Sequence, residues 1–175
     1  MIRRWIACAV ALNAVVAFAR SAPAEPFRVG DTATYAYVRA DGVPSDSIMV
    51  YTVTSIADEG VWLSMDYSLV AGPQGYRFLI DPATKRLKRV LHRGIQQPFS
   101  DPNAAPAEQG PESTISVPAG DFRCSDRKVV WPNGSADHYW IDSSGAVPIF
   151  GYVRILYGLP GGSGVRLDLV SFRRG

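Results

Sequence analysis

The sequence predicts an all-β fold: a single antiparallel curved sheet, a barrel or half-barrel of about nine strands, set after an N-terminal signal helix. Three observations carry this. Beyond residue 24 helical periodicity is scarce, while apolar and polar side chains alternate repeatedly. Turn segments such as Asp-Pro, Pro-Ala-Gly and Asn-Gly separate the alternating runs. No internal repeat divides residues 25–175, whose length suits one domain.

Residues 1–24 read as a cleavable export signal. Arg3 and Arg4 precede an apolar run from Trp5 to Ala19, interrupted only by Asn13, and Ala22-Pro23-Ala24 forms a small-residue exit. A membrane-spanning helix needs about 20 apolar residues, more than this run supplies. Cleavage after Ala24 leaves Glu25 first, and cleavage after Ala19 leaves Arg20 first. Cys8 lies inside the apolar run, not at a cleavage point, so the segment does not read as a lipoprotein signal. The expected location is the periplasm or the exterior.

Strand signals then follow in order. Thr32 to Arg39 is a strand closed by Asp41-Gly42 and Pro44. Ile48 to Ile56 is rich in β-branched and aromatic residues, and Asp58-Glu59-Gly60 turns it into the next run. There Val61, Leu63, Met65, Tyr67 and Leu69 share one face and Ser64, Asp66 and Ser68 the other, the pattern of a half-buried strand. Tyr76 to Ile80 and Arg86 to His92 form a hairpin about Asp81-Pro82-Ala83-Thr84, where Asp and Pro suit the first two positions of a type I turn. Ser113 to Val117 and Asp121 to Trp131 pair about Pro118-Ala119-Gly120. Asn133-Gly134 joins Trp131 to the run Ala136 to Ile141, and a type I′ turn is expected there. Val147 to Tyr157 and Val165 to Phe172 close the chain about a flexible tip at Gly161-Gly162-Ser163-Gly164. Residues 98–112 stand apart: Pro98, Pro102, Pro106 and Pro111 exclude both a helix and a central strand. A mobile surface loop is expected, with a lid as the second reading.

The bulk numbers exclude some functions. The whole chain carries 18 basic and 16 acidic side chains. Removing residues 1–24 takes away Arg3, Arg4 and Arg20 and no acidic group, which leaves a formal charge of −1. Such a chain has no net field for nucleic acid or anionic lipid. Losing Cys8 leaves Cys124 without an intramolecular disulfide partner. The expectation is an inert, buried thiol on one strand face with Phe122 and Val130.

Other motifs weigh little. Lys85, Arg86, Lys88, Arg89, His92 and Arg93 cluster in one hairpin. Strand alternation puts Arg86, Lys88 and His92 on one face and Arg89 and Arg93 on the other, which reads as a charged edge strand. His92 and His138 lack the spacing of a metal site, and Gly161–Gly164 lacks the Lys-Ser/Thr of a phosphate loop. No G-x-S-x-G elbow is present. Asn133-Gly134-Ser135 matches a glycosylation acceptor, but its chemistry is that of a turn.

Val117-Pro118-Ala119-Gly120-Asp121-Phe122, then Tyr139-Trp140, then Val147-Pro148, form a V-P-A-G-x-F … Y-W … V-P order over residues 113–157. This order resembles a family of exported bacterial β-proteins of unknown function. The resemblance implies a curved antiparallel sheet and carries over no catalytic residue.

No residue is assigned a catalytic, cofactor-binding or metal-ligating role, and no cofactor is expected. Of the function classes, an enzyme ranks last. The first is an exported binding module that holds an apolar or lipid-like ligand on a concave sheet. The alternative is a structural or interaction protein of the periplasm whose partner is another envelope protein.

Overall fold

The computed structural model describes residues 27–39, 42–69, 72–73, 75–158 and 164–175. The export signal with its helix, Cys8, Asp41 and the tip at 161–163 lie outside the described residues. No helix occurs among those described, and so none is long and apolar enough to cross a membrane.

The alternating runs become strands β1 (Thr32–Val38), β2 (Pro44–Ala57), β3 (Gly60–Leu69), β4 (Gly72–Pro73), β5 (Tyr76–Ile80), β6 (Leu87–His92), β7 (Ile95–Gln96), β8 (Ala107–Gln109), β9 (Ser113–Val117), β10 (Gly120–Val130), β11 (Ala136–Asp142), β12 (Tyr152–Gly158) and β13 (Gly164–Arg173). Thirteen strands among the described residues thus replace the expected nine or so: each of the ten runs read from the sequence corresponds to one, and three are new. The additions are short pieces at edges and hairpin ends, β4, β7 and β8, where two or three residues carry no readable period. All pairings are antiparallel, in the order β7-β6-β5-β3-β2-β1-β13-β12-β11-β10-β8, with β9 also on β10 and β4 only on β3. β7 and β8 do not pair, so the sheet is a half-barrel and not a closed barrel. Both edges end in very short strands, which limits edge-to-edge association.

Bulges bend the sheet. Thr54 in β2, Lys88 in β6, Val153 in β12 and Val170 in β13 each have no residue opposite them in one ladder. An extra residue on one strand increases local twist and shifts the side-chain alternation. At Val153 both Tyr152 and Val153 are buried in succession. At Lys88 the shift puts Leu87, Val90 and His92 together on the inner face. The expected grouping of Arg86, Lys88 and His92 on one face therefore does not hold. His92 stacks on Tyr76 at 4.6 Å, while Lys88 reaches the carbonyl of Glu59 and lies 3.6 Å from Asp81.

The core lines the inner face: Tyr35, Val53, Leu63, Ile80, Val129, Val153, Ile155, Leu167 and Leu169 are all essentially buried. A second, smaller packing layer lies outside it. The β9–β10 hairpin folds back over β12 and β13, and the Ala119 amide donates to the carbonyl of Leu169, next to the unpaired Val170. Arg154 of β12 donates to the Ser116 carbonyl of this hairpin and, with Arg166, to Asp168. Phe122 packs edge-on against Phe172.

Cys124 lies in this outer layer, fully buried. Burial pushes its thiol up to about 11, with Asp142 adding to the shift. Val130 is half exposed, because the hairpin covers only the first part of β10, so the expected three-residue face holds for Phe122 and Cys124 alone. A thiol reagent will label Cys124 slowly in the native protein and quickly after denaturation; rapid native labelling contradicts this placement.

The turn chemistry holds with one correction. Asp81 accepts from the amides of Ala83 and Thr84 and from the Thr84 hydroxyl, and these bonds lower its pKa. At 131–135 the Gly134 amide donates to the Trp131 carbonyl, and only Gly134 has positive φ, at 81°. This is a type I turn followed by a left-handed glycine, not type I′, since Pro132 presets the first turn position. Asn133 accepts from the Ser135 amide and hydroxyl. Gly134→Val still forces a β-branched residue to positive φ and lowers stability by about 1–3 kcal/mol, read as a lower urea midpoint.

Candidate functional site

Register places all eight tyrosines on one face of the sheet. Tyr35 and Tyr37 alternate in phase on β1; Met49 opposes Tyr35, and Tyr51 opposes Ala33. Tyr67 opposes Met49, and Met65 lies between Tyr51 and Tyr76. Tyr157 opposes Val165, Tyr139 opposes Ile155, and Tyr152 opposes Ile141. Curling the sheet turns this face inward. The rings then meet in a connected set: Tyr35 with Tyr51, Tyr51 with Phe78 and Phe150, Phe150 with Tyr152, and Tyr152 with Tyr139, at centroid distances of 5.0–6.2 Å.

Between them lies a cavity of about 290 Å³. One wall is Tyr51, Met65, Phe78 and Leu87, from β2, β3, β5 and β6; the opposite wall is Asp137, Tyr139, Tyr152 and Tyr157, from β11 and β12. Strands so far apart in the sheet order meet around one space only because the sheet curls.

The Pro-rich segment closes the open side of the half-barrel. Asp101 accepts from the Leu87 amide of β6. Asn103 donates to the Lys85 carbonyl and accepts from Arg127 of β10, whose guanidinium also donates to the Pro102 carbonyl. Ser100, Pro102 and Asn103 line the cavity. The segment is thus a strap that joins the two limbs of the sheet, where the sequence suggested a mobile surface loop or, as the second reading, a lid. Residues 107–109 continue from it as edge strand β8, a place open to a proline-rich segment.

A second loop contributes Phe150. Ile149, buried, has φ of 66°, a rare conformation for a β-branched residue. The tight turn around it, closed by the Gly151 amide on the Pro148 carbonyl, sits beside Phe150 at the cavity wall. Strain of this kind persists only where surrounding structure enforces it.

The polar groups of the cavity fall into two sets. Asp137 is spoken for: Trp131 Nε1 and the Tyr139 hydroxyl donate to Oδ2, and the Gly158 amide donates to Oδ1. Tyr35 donates to the Tyr152 carbonyl, and the Tyr152 hydroxyl meets Asn103. Burial raises the pKa of Tyr35, Tyr51, Tyr139, Tyr152 and Tyr157, so all remain neutral phenols across the physiological range. For Tyr51 and Tyr157 burial is the largest cause; neighbouring phenols add to it at both, and Asp137 adds to it at Tyr157.

Sequence reasoning missed these residues as a set, although it anticipated an apolar ligand on a concave sheet. The two histidines fall on opposite faces: His92 joins the inner stack, and His138 stacks on Trp140 outside. Among the described residues no group of His, Cys, Asp and Glu could hold a metal ion. The basic cluster is dispersed, with Arg86 near Asp101 and Lys88 near Asp81.

No family model matches the chain, and no curated protein matches it. Solved structures do. The chain is similar to the hypothetical protein CT021 from Chlamydia trachomatis, with 14% identity, 84% of this chain and 88% of that one covered, and a TM-score of 0.53. It also aligns with a protein from Bacteroides fragilis described as exported and YmcC-like in fold (15% identity, 85% and 98% covered, TM-score 0.46) and with one from Parabacteroides distasonis described as a lipoprotein (14% identity, 85% and 97% covered, TM-score 0.49). What the chain shares with the Chlamydia trachomatis protein is the fold.

Proposed function

We propose that this protein is an exported binding module of the cell envelope that holds a small apolar molecule inside its half-barrel. The observation that carries the reading is the cavity: concave, walled by aromatic side chains, and at the lower end of the roughly 300–1,000 Å³ typical of ligand sites. Its walls leave unfilled space where a purely structural core packs to uniform density. Export is supported by the charged, apolar and small-residue parts of residues 1–24. The V-P-A-G-x-F resemblance fits the same reading. Aromatic walls with a few polar groups suit the holding of a small apolar molecule, which is the function this lining supports best.

The test uses a neutral fluorescent probe, N-phenyl-1-naphthylamine. The full mature chain will give a saturable, one-to-one rise in probe fluorescence. Met65→Trp, which fills the cavity from β3, will weaken that binding at least tenfold while the far-ultraviolet circular dichroism stays unchanged. Equal binding by the variant, or none by the wild type, refutes a ligand site in this cavity.

A further inference from the structure

Resting on the binding reading above, we infer that the ligand is an uncharged ring compound bearing a hydroxyl or carbonyl group, which the hydroxyls of Tyr51 and Tyr157 recognise. Three features of the cavity lead there. Its walls are mainly rings: Tyr51, Phe78, Trp131, Tyr139, Phe150 and Tyr152. Flat, rigid faces favour a planar guest, which stacks or meets edges with them, over a flexible chain, which gains most from aliphatic walls and loses more entropy on ordering. The small volume points the same way, since it suits about one or two rings better than a long acyl chain.

The second feature is hydrogen-bonding capacity at the cavity wall. The Tyr51 side chain lines the cavity with the residue only 8% exposed, and Tyr157 lines the same space. Among the described residues the sealed polar atoms without a partner are His92 Nε2 and Asp126 Oδ1, so the Tyr51 and Tyr157 phenols belong to the cavity space rather than to a closed core. Water meets such groups in the empty cavity, and a guest that carries a hydroxyl or carbonyl replaces that water with a direct hydrogen bond. Each phenol can donate and accept, so both a hydroxyl and a carbonyl are met.

The third feature sets the charge. Asp137 stands in the wall and bears on both Tyr139 and Tyr157. It opposes an anion. Its oxygens are already taken by Trp131, Tyr139 and Gly158, which leaves it poorly placed to hold a cation. Arg127, the nearest cation at the strap, is held by Asn103 and Pro102.

Isothermal titration of the full mature chain with four probes tests this: 2-naphthol, naphthalene, 2-naphthoate and 1-decanol. The expected order puts 2-naphthol first, with naphthalene about threefold to tenfold weaker for lack of the hydroxyl, and the anion and the linear alcohol weaker still. Tyr51→Phe with Tyr157→Phe keeps the ring walls, lowers 2-naphthol to the level of naphthalene, and leaves naphthalene unchanged. Tighter binding of 1-decanol or 2-naphthoate than of 2-naphthol, or undiminished 2-naphthol binding by the double variant, overturns the inference. If N-phenyl-1-naphthylamine binds while none of these four does, the ring-with-hydroxyl class is wrong and the cavity remains a binding site. If no probe binds, the binding reading fails as well.

Discussion

Asp168→Asn will lower the stability of this protein by about 3–5 kcal/mol, the cost of stripping a buried charge cluster of one partner. Asp168 is 3% exposed and takes both guanidiniums: Arg154 at 2.6 and 3.0 Å, and Arg166 through two further bonds. Arg154 extends the cluster to the Ser116 carbonyl, so the loss also loosens the β9–β10 hairpin from β12 and β13. Burial alone would raise the Asp168 pKa, but the hydrogen bonds and charges of Arg166 and Arg154 outweigh it and lower the value. A carboxylate lowered in the folded state contributes stability above its unfolded pKa of about 3.9 and loses it as pH falls through the folded value. Urea midpoints at pH 7 will therefore separate wild type from variant widely, and the gap will narrow below about pH 4. A gap of equal size at pH 7 and pH 3 would show that charge is not what Asp168 contributes.

Leu63→Ala will cost about 2–5 kcal/mol through lost burial and the cavity left behind. Leu63 is fully buried in β3, between Val53 on β2 and Phe78 on β5. It belongs to the same inner face as the ligand cavity but does not line it. The variant will unfold at a lower denaturant midpoint with its secondary structure intact in water, and it will keep its affinity for N-phenyl-1-naphthylamine. A change below about 1 kcal/mol, within the range of surface substitutions and small repacking, would mean that this part of the inner face is not a packed core.

The strand alternation was legible because period two survives wherever one face is buried: Val61, Leu63, Met65 and Tyr67 are read from sequence as they stand in the fold. Turn chemistry was legible at Asp81-Pro82 and at Pro118-Ala119-Gly120 for the same local reason. What escaped was set by other strands. The bulges at Lys88 and Val153 shift the phase of alternation, and nothing in Lys88 or Val153 announces them. The eight tyrosines look scattered along the chain and fall on one face only once six ladders fix their register. The strap defeats pattern reading because Asp101, Pro102 and Asn103 act through individual hydrogen bonds to the backbone of Lys85 and Leu87 and to the Arg127 side chain, with no periodicity. Ile149 at positive φ is enforced by its surroundings against its own preference.

Native mass spectrometry of the protein isolated gently from the envelope fraction of cells that express it tests the central claim most directly. A half-barrel that serves as a binding module will carry one additional neutral mass of small-molecule size, present in the wild type and absent from Met65→Trp. A bare mature chain from every preparation, or an adduct that Met65→Trp retains in full, would contradict the account.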